Sequence, residues 1–342
     1  MSIPVFAFFN NKGGVGKTAL IFHLAHMFAD LGKRVLAVDL DPQANLTASF
    51  LDEDVLEELW DVPAEGRATI FGAVRPLMDV GDVRIPAIQT PRGRLALLPG
   101  DLALAGFEDT LSDVWNRMLG DQNLERPFKI TSVFWRVMQT AGINHRADLI
   151  VCDLGPSLGA LNRAALVAAD FVVIPMGPDL FSLYGLRNLG PTLKSWRKQW
   201  NARRRNFEDN HNGPAFDLPG GQMQPLGYIV NRHSVLRKEP VKAFRNWIAK
   251  IPIAYSEFVI GEGQITNLDA KNDPNCLAQL KDYRSLAAMA QEHRKPMFNL
   301  SVADGAIGAH QAAVKQCRGD FEALATEILS RAGTHEKEWK IT

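Results

Sequence analysis

Cysteine is scarce in this sequence. Cys152, Cys276 and Cys317 are the only three in 342 residues, they lie far apart, and none belongs to a C-x-x-C pair. With no histidine at metal-ligand spacing either, the pattern argues against a zinc or iron–sulfur site and fits a reducing compartment. Net charge is missing too, because 38 Lys plus Arg balance 38 Asp plus Glu. Any contact with nucleic acid must then come from local clustering and not from a basic surface as a whole. No apolar run reaches the roughly 18 residues of a membrane span, and the first residues lack the basic-then-apolar order of a signal peptide. A soluble, cytoplasmic protein is expected. Low-complexity linkers are also lacking. A prior of about 150 residues per domain suggests two domains, yet the unbroken pattern predicts one elaborated domain over residues 1–332 and a polar, frayed tail at 333–342. Apolar content of 46% is enough for a large core.

What is present begins with Lys12 to Thr18, Lys-Gly-Gly-Val-Gly-Lys-Thr, set between an apolar run (Val5 to Phe9) and an amphipathic helical pattern (Lys17 to Leu31). That is the context of a phosphate-binding loop. Gly13, Gly14 and Gly16 can adopt backbone angles closed to other residues, so successive N–H groups turn onto phosphate oxygens at the positive end of the next helix. Lys17 then reaches the β and γ phosphates and the Thr18 hydroxyl a Mg²⁺ ion. The usual pattern requires glycine at position 11, where this chain has Asn11, and it adds a second lysine, Lys12. In the simplest geometry Lys12 points away from its own loop, so its ammonium is free for phosphates on a facing subunit.

Further apolar runs follow at Val35 to Val38, Leu95 to Leu98, Leu149 to Cys152, Phe171 to Ile174 and Leu226 to Val230, most of them separated by helical patterns. This order predicts an α/β fold with a doubly wound, mostly parallel sheet flanked by helices, whose chemistry collects at the carboxyl ends of the strands. Residues 52–89 and 107–146 read as insertions, most simply helices that cover a sheet edge; the amphipathic segment Ser132 to Thr140 could instead bind a partner. A C-terminal helix is predicted over Gln311 to Arg331. Strand two ends in Asp39-Leu40-Asp41-Pro42-Gln43, with two carboxylates on one side of an extended chain. Near a triphosphate one can organise Mg²⁺ and its waters while the other orients the attacking water. Leu149 to Asp153 is an apolar strand closed by a carboxylate, which makes Asp153 a metal-site candidate.

Together these motifs resemble the deviant Walker A P-loop NTPases of the ParA/MinD family, in its ParA-like branch. The resemblance is strongest from Asn10 to Leu51, clear at Leu95 to Glu108 and Asp148 to Ala168, and thin after Ile251. It implies ATP and Mg²⁺ as cofactors and nucleotide contacts from Lys12, Gly13, Gly14, Val15, Gly16, Lys17, Thr18 and Ala19. Asn231 is implied as the reader of the adenine edge, with Pro252 in a loop near the base. Lys12, Lys17 and Asp41 are implied in hydrolysis, and Thr18, Asp39 and Asp153 in metal binding. Where the family pattern after Asp153 has a proline, this chain has Gly155, which predicts a looser switch segment.

Between Lys194 and Arg205 lie Lys194, Arg197, Lys198, Arg203, Arg204 and Arg205 with no acidic residue. On a helix, Lys194, Arg197, Lys198 and Arg205 share one face, and Leu193, Trp196 and Trp200 another. Such a face suits backbone phosphates, although a basic amphipathic helix can also lie on an anionic membrane. The resemblance favours DNA. It implies an ATP-dependent homodimer that binds nonspecific DNA, is stimulated by a ParB-like activating partner, and segregates or positions DNA or another cargo, associated with the nucleoid and not with a membrane. No helix-turn-helix pattern precedes the loop. Two alternatives share the fold: a regulatory ATPase of a secretion, polysaccharide-export or phage-defence complex without a DNA role, and a small-molecule kinase or metal-delivery enzyme. Scattered cysteines speak against metal delivery, and no small-substrate signature supports a kinase.

Overall fold

A computed structural model describes residues 2–85, 87–120, 122–211, 216–231, 241–262, 270, 272–283 and 285–339. In chain order the elements are β1 (Val5–Phe8), α1 (Lys17–Asp30), β2 (Val35–Asp39), α2 (Asn45–Phe50), α3 (Glu53–Trp60), α4 (Ile70–Val74), β3 (Gln89–Arg92), β4 (Leu95–Leu98), α5 (Glu108–Arg117), α6 (Glu125–Thr131), α7 (Val133–His145), β5 (Leu149–Asp153), α8 (Ala160–Val167), β6 (Phe171–Met176), α9 (Leu180–His211), β7 (Gln224–Asn231), α10 (Val241–Ala254), β8 (Cys276–Leu280), α11 (Ser285–Glu292) and α12 (Ala309–Trp339). The strands form one eight-stranded sheet in the order β3-β4-β2-β5-β1-β6-β7-β8. This is the expected α/β class, and each of the six predicted strands is present.

The chain forms two compact units, each discontinuous in sequence: residues 1–8, 33–172 and 192–224, and residues 9–32, 173–191 and 225–342. In the first, β1, β2, β4 and β5 are buried along their whole length. They run parallel, β2 between β4 and β5, and β5 between β2 and β1. Strands covered on both faces need no polar alternation, which is why they read as unbroken apolar runs. The predicted helices of residues 107–146 are α5, α6 and α7. Phe134, Val137 and Met138 of α7 are buried, and α7 packs on β2 and β5, interior strands of the sheet, so it covers a face and not the expected edge. β3 was not predicted. It is an exposed antiparallel edge joined to β4 by a tight turn at Gly93-Arg94.

In the second unit β7 and β8 are parallel, with a register shift at Tyr228/Ile229. α1 packs on α12 through His23, whose ring stacks on Phe321 at 5.1 Å. His23 Nε2 accepts from the Met297 N–H at 3.0 Å, while Nδ1 lies 2.6 Å from the Ala19 carbonyl. α12 is longer than expected and carries the helix through Trp339, so residues 333–339 are not a frayed tail. Residues 340–342 of the expected tail lie outside the described residues.

Candidate functional site

The loop that follows β1 belongs to the second unit. Gly14 and Gly16 have φ of 72° and 77°, the left-handed region that favours glycine. A Cβ built on Gly13 or Gly14 meets nothing within 4 Å, so the backbone there is open to a ligand. Gly16 caps α1 without any side-chain hydrogen bond, and the first turn of α1 holds no acidic residue. N–H groups at that end are therefore offered to an anion, which fits the phosphates of a nucleotide. Lys17 is buried, Thr18 half-buried and Ala19 exposed.

The rest of the second unit braces this loop. Asn10 donates through Nδ2 to the Pro175 carbonyl at 2.7 Å and accepts the Lys12 N–H at 2.9 Å. Asn231, at the end of β7, donates through Nδ2 to the Val15 carbonyl at 3.0 Å. A side chain at Gly16 would put its Cβ 2.5 Å from that same nitrogen. Asn231 is thus brought to the loop, and part of the amide expected to read the base is engaged by the loop itself. Gly185 of α9 lets the helix approach closely, since a Cβ there would stand 2.7 Å from Asn11 Oδ1.

Lys12 departs from expectation. Its ammonium is not free but paired with Asp179 Oδ2 at 2.5 Å, with both side chains 27% exposed. Asp179 also caps α9, its Oδ1 accepting the Ser182 N–H at 2.9 Å. Asp-Leu-Phe-Ser at a helix start is a readable capping pattern, but nothing in the sequence joins it to Lys12. Pro252 is also corrected. It lies inside α10 and not in a loop.

The carboxylates belong to the first unit. Asp39 and Asp153 are register neighbours on β2 and β5, both fully buried. Asp39 Oδ2 accepts from the backbone N–H and the hydroxyl of Thr47, each at 2.8 Å, and Oδ1 accepts from the Asp41 N–H at 3.2 Å. The Thr47 hydroxyl in turn accepts the Gly100 N–H at 2.7 Å. Burial, with the charges of Asp153 and Asp41 added, pushes the Asp39 carboxyl well above the usual carboxylate range. Two buried like charges side by side are what a divalent cation relieves, so this donor set fits Mg²⁺. Both Asp39 oxygens are engaged in holding the turn. Among the described residues no group of three or more His, Cys, Asp or Glu forms a metal cage. Mg²⁺ that shares its shell with phosphates and water needs none.

Asp41 is buried and accepts the Gln43 N–H at 3.0 Å. A Cβ at Gly155 would lie 3.3 Å from Asp41 Oδ1, so the glycine makes room for this carboxylate. The expected looseness at Gly155 is opposed by Asn162, whose Nδ2 donates to the carbonyls of Gly155 at 2.8 Å and Ser157 at 2.6 Å. Thr47, Gly100 and Asn162 carry no motif of their own, and they and Asp179 were missed.

A protein-family model described as an AAA domain matches residues 3–205, more than half of the chain. The sporulation initiation inhibitor protein Soj of Bacillus subtilis is 33% identical over 199 residues, covering 58% of this chain and 67% of Soj. The chain belongs to the ParA/MinD family of P-loop ATPases. The chain's matches to its curated relatives span from 42% to 74% of those relatives' own lengths. Among solved structures, a Corynebacterium diphtheriae protein superposes with a TM-score of 0.70 at 24% identity, covering 96% of this chain and 98% of that one. An ATP complex of a Cyanothece McdA variant superposes with a TM-score of 0.63 at 15% identity, covering 96% of each chain. These two likenesses speak for the fold.

The basic segment of this ParA/MinD-family chain is only partly as predicted. Leu193, Trp196 and Trp200 are buried as the apolar stripe of α9. Lys194, Lys198 and Arg205 are exposed. Arg203 is not: it is buried, donates through Nε to the Trp115 carbonyl at 3.0 Å and lies over the Trp115 ring at 4.4 Å. Arg197 is half-buried and donates to the Met223 carbonyl at 2.5 Å, while Arg204 pairs with Glu208 at 3.0 Å. Arg197 and Arg203 therefore hold the fold, Arg204 is paired along the helix surface, and three cations remain for a surface role. Among the described residues no helix is long and apolar enough to cross a membrane.

Proposed function

We propose that this chain is a ParA-like, nucleotide-switched ATPase in which two copies associate in the ATP-bound state. That dimer rides on nonspecific DNA, and hydrolysis, stimulated by a partner protein, releases it. Residues 12–19 hold the phosphates, with Asn231 on the base side. Thr18, Asp39 and Asp153 serve the metal, which when bound supplies positive charge to the β and γ phosphates. Asp41 holds the attacking water in line, with Gly155 leaving it room. Lys12 changes partner from Asp179 to the facing copy's nucleotide. The output is segregation or positioning of DNA or another cargo within the cytoplasm, at the nucleoid, by one ATPase domain whose last helix runs on to Trp339.

The observation that carries this reading is the placement of Lys12. A lysine inside a phosphate loop that pairs with a carboxylate of its own chain, and not with its own loop, is a charge held in reserve. Support comes from relatives named as a chromosome partitioning protein, ParA of Caulobacter vibrioides, and from the same fold in MinD of Pyrococcus horikoshii complexed with Mg-ADP. One observation favours the regulatory ATPase without a DNA role: the burial of Arg203 and the engagement of Arg197 and Arg204 halve the basic patch.

One experiment separates them. Asp41→Ala protein is titrated with a nonspecific duplex in ATP and Mg²⁺, and again in ADP, across a salt series. Binding only with ATP, steeply weakened by salt, is the expected result. ATP-dependent dimers that ignore DNA would leave the regulatory reading, and an Asp41→Ala protein that stays monomeric with ATP bound would overturn both.

A further inference from the structure

Within the first unit, the start of α8 is held by a residue of another helix. Glu108 stands in the first turn of α5, and its carboxylate takes the first two N–H groups of α8: Oε1 accepts from Ala160, and Oε2 from Leu161 at 2.8 Å. Those groups have no partner inside their own helix, and a carboxylate there also meets the positive end of the helix dipole. A cap is usually supplied by the residue just before the helix, which here is Gly159 and has no side chain to offer. Its backbone is of a kind any residue adopts, with φ of −85° and ψ of −174°. What the position requires is lack of bulk, because a Cβ on Gly159 would run into Glu108 Oε1. Trp115, two turns further along the same side of α5, makes a second hold, with the Arg163 guanidinium of α8 over its ring at 4.4 Å.

We infer that Glu108 is a positioning residue for ATP hydrolysis: through α8 and Asn162 it fixes the Gly155 backbone against the Asp41 carboxylate. The inference rests on the reading that Asp41 orients the attacking water, and it adds a residue that acts only through others. Residues 154–159 join Asp153, at the end of β5, to the first residue of α8. Asn162, in the first turn of α8 and buried, reaches back along this segment, its Nδ2 donating to the carbonyls of Gly155 and Ser157 and to Ser157 Oγ at 3.2 Å. Where α8 sits therefore decides where the Gly155 carbonyl sits. Nothing but backbone separates that point from Asp41, since a Cβ on Gly155 would already be 3.3 Å from Asp41 Oδ1. A glycine backbone has many conformations of similar energy, so the segment needs fastening from outside. A local cap would steady only its own helix, whereas a cap brought from 52 residues away ties α8 to α5. Displacing a catalytic group by about 1 Å can cost up to about 10²-fold in rate.

Phosphate release at saturating ATP and Mg²⁺ provides the test. Glu108→Ala, Glu108→Gln, Gly159→Ala and the double variant Glu108→Ala/Gly159→Ala are compared with the wild-type protein, and ATP affinity is titrated with a fluorescent ATP analogue. Ser301→Ala, which removes a capping box in the second unit, controls for lost stability, and urea unfolding puts every variant on one scale. Glu108→Ala removes the carboxylate and Gly159→Ala displaces it, so each should lower kcat about tenfold while ATP affinity stays within about twofold. Glu108→Gln keeps one acceptor oxygen and should return to within about threefold of wild type. The double variant should be no slower than either single one, because both lose the same contact; independent lesions would multiply to about 100-fold. Ser301→Ala should turn over as the wild type does. Wild-type turnover by Glu108→Ala overturns the inference, and the reading of Asp41 then stands if Asp41→Ala is inactive. Multiplying effects in the double variant, or a fall in ATP affinity as large as that in kcat, overturn it too. If Glu108→Ala does not fold, Glu108→Gln, Gly159→Ala and their double variant make the same comparison. Asp41→Ala protein that releases phosphate at the wild-type rate removes the reading of Asp41 and the inference with it.

Discussion

Lys198→Gln and Arg203→Ala distinguish a cation that meets DNA from one that holds the fold. Lys194, Lys198 and Arg205 are the exposed members of the basic segment. Three phosphates neutralised per copy make about six per dimer, and counterion release then gives a slope of log K against log salt of about −5. Between 50 and 200 mM salt, affinity should fall about 10³-fold. Lys198→Gln removes one contact from each copy, which flattens the slope to about −4 and the fall to about 10²-fold. Arg203→Ala should leave the slope alone, because this guanidinium is turned onto Trp115. Its cost appears in stability instead. Losing the bond to the Trp115 carbonyl, the bond to the Gln199 carbonyl at 3.2 Å and the stacked ring should lower unfolding free energy by about 2 kcal/mol. Fluorescence anisotropy of a labelled nonspecific duplex, with ATP-bound Asp41→Ala protein as the background, reads the slopes, and urea unfolding reads the stability. An Arg203→Ala slope as flat as that of Lys198→Gln, with stability unchanged, would refute the assignment.

Three more outcomes are expected. Gly155→Ala brings a methyl group to 3.3 Å from Asp41 Oδ1, and ATP turnover should fall about tenfold with ATP affinity kept; phosphate release at wild-type rate would show that Asp41 tolerates the crowding. Asp179→Ala removes the cap of α9 and the partner of Lys12. The cap is worth about 1 kcal/mol and the part-exposed ion pair at most about 1 kcal/mol after screening, so Asp179→Asn, which keeps a capping oxygen, should recover about half the loss in urea unfolding. Burial raises the thiols of Cys152, Cys276 and Cys317, the half-exposed Cys276 to about 11. A thiol reagent at pH 8 should therefore modify at most Cys276, slowly, in the native protein and all three thiols in denaturant; rapid native reaction of Cys152 would contradict the burial of β5.

The parts of the fold that were legible share one physical property. β1, β2, β4, β5 and β6 are buried on both faces, so the requirement for apolar side chains falls on consecutive residues and shows as a run. β3, Gln-Thr-Pro-Arg, is held by its hairpin to β4 and exposed on nearly every side chain, so burial leaves no trace in its composition. β8, Cys-Leu-Ala-Gln-Leu, is half-buried at the other edge, and five residues are too few for a period to show. The end of α12 was missed for the opposite reason. Gly333 reads as a stop, yet a helical glycine costs only about 1 kcal/mol relative to alanine, and helix continues past it to Trp339.

In the candidate site, motifs named the groups proposed to do chemistry and missed those that position them. Asp39, Asp41 and Asp153 announce themselves at strand ends, but Thr47 and Gly100 are ordinary residues until folding brings both to one carboxylate. No spacing rule could link Lys12 to Asp179, 167 residues away. Arg203 is different, because its placement was written in the sequence. Trp196, Trp200, Arg203 and Phe207 fall at intervals of four, three and four, which is one stripe of a helix, and all four are buried. Charge alone put Arg203 among the solvent-facing cations. Periodicity puts it inside, where the flat guanidinium stacks on Trp115 and its N–H groups meet the carbonyls of Trp115 and Gln199, so that an arginine fills a position an aromatic residue would otherwise take.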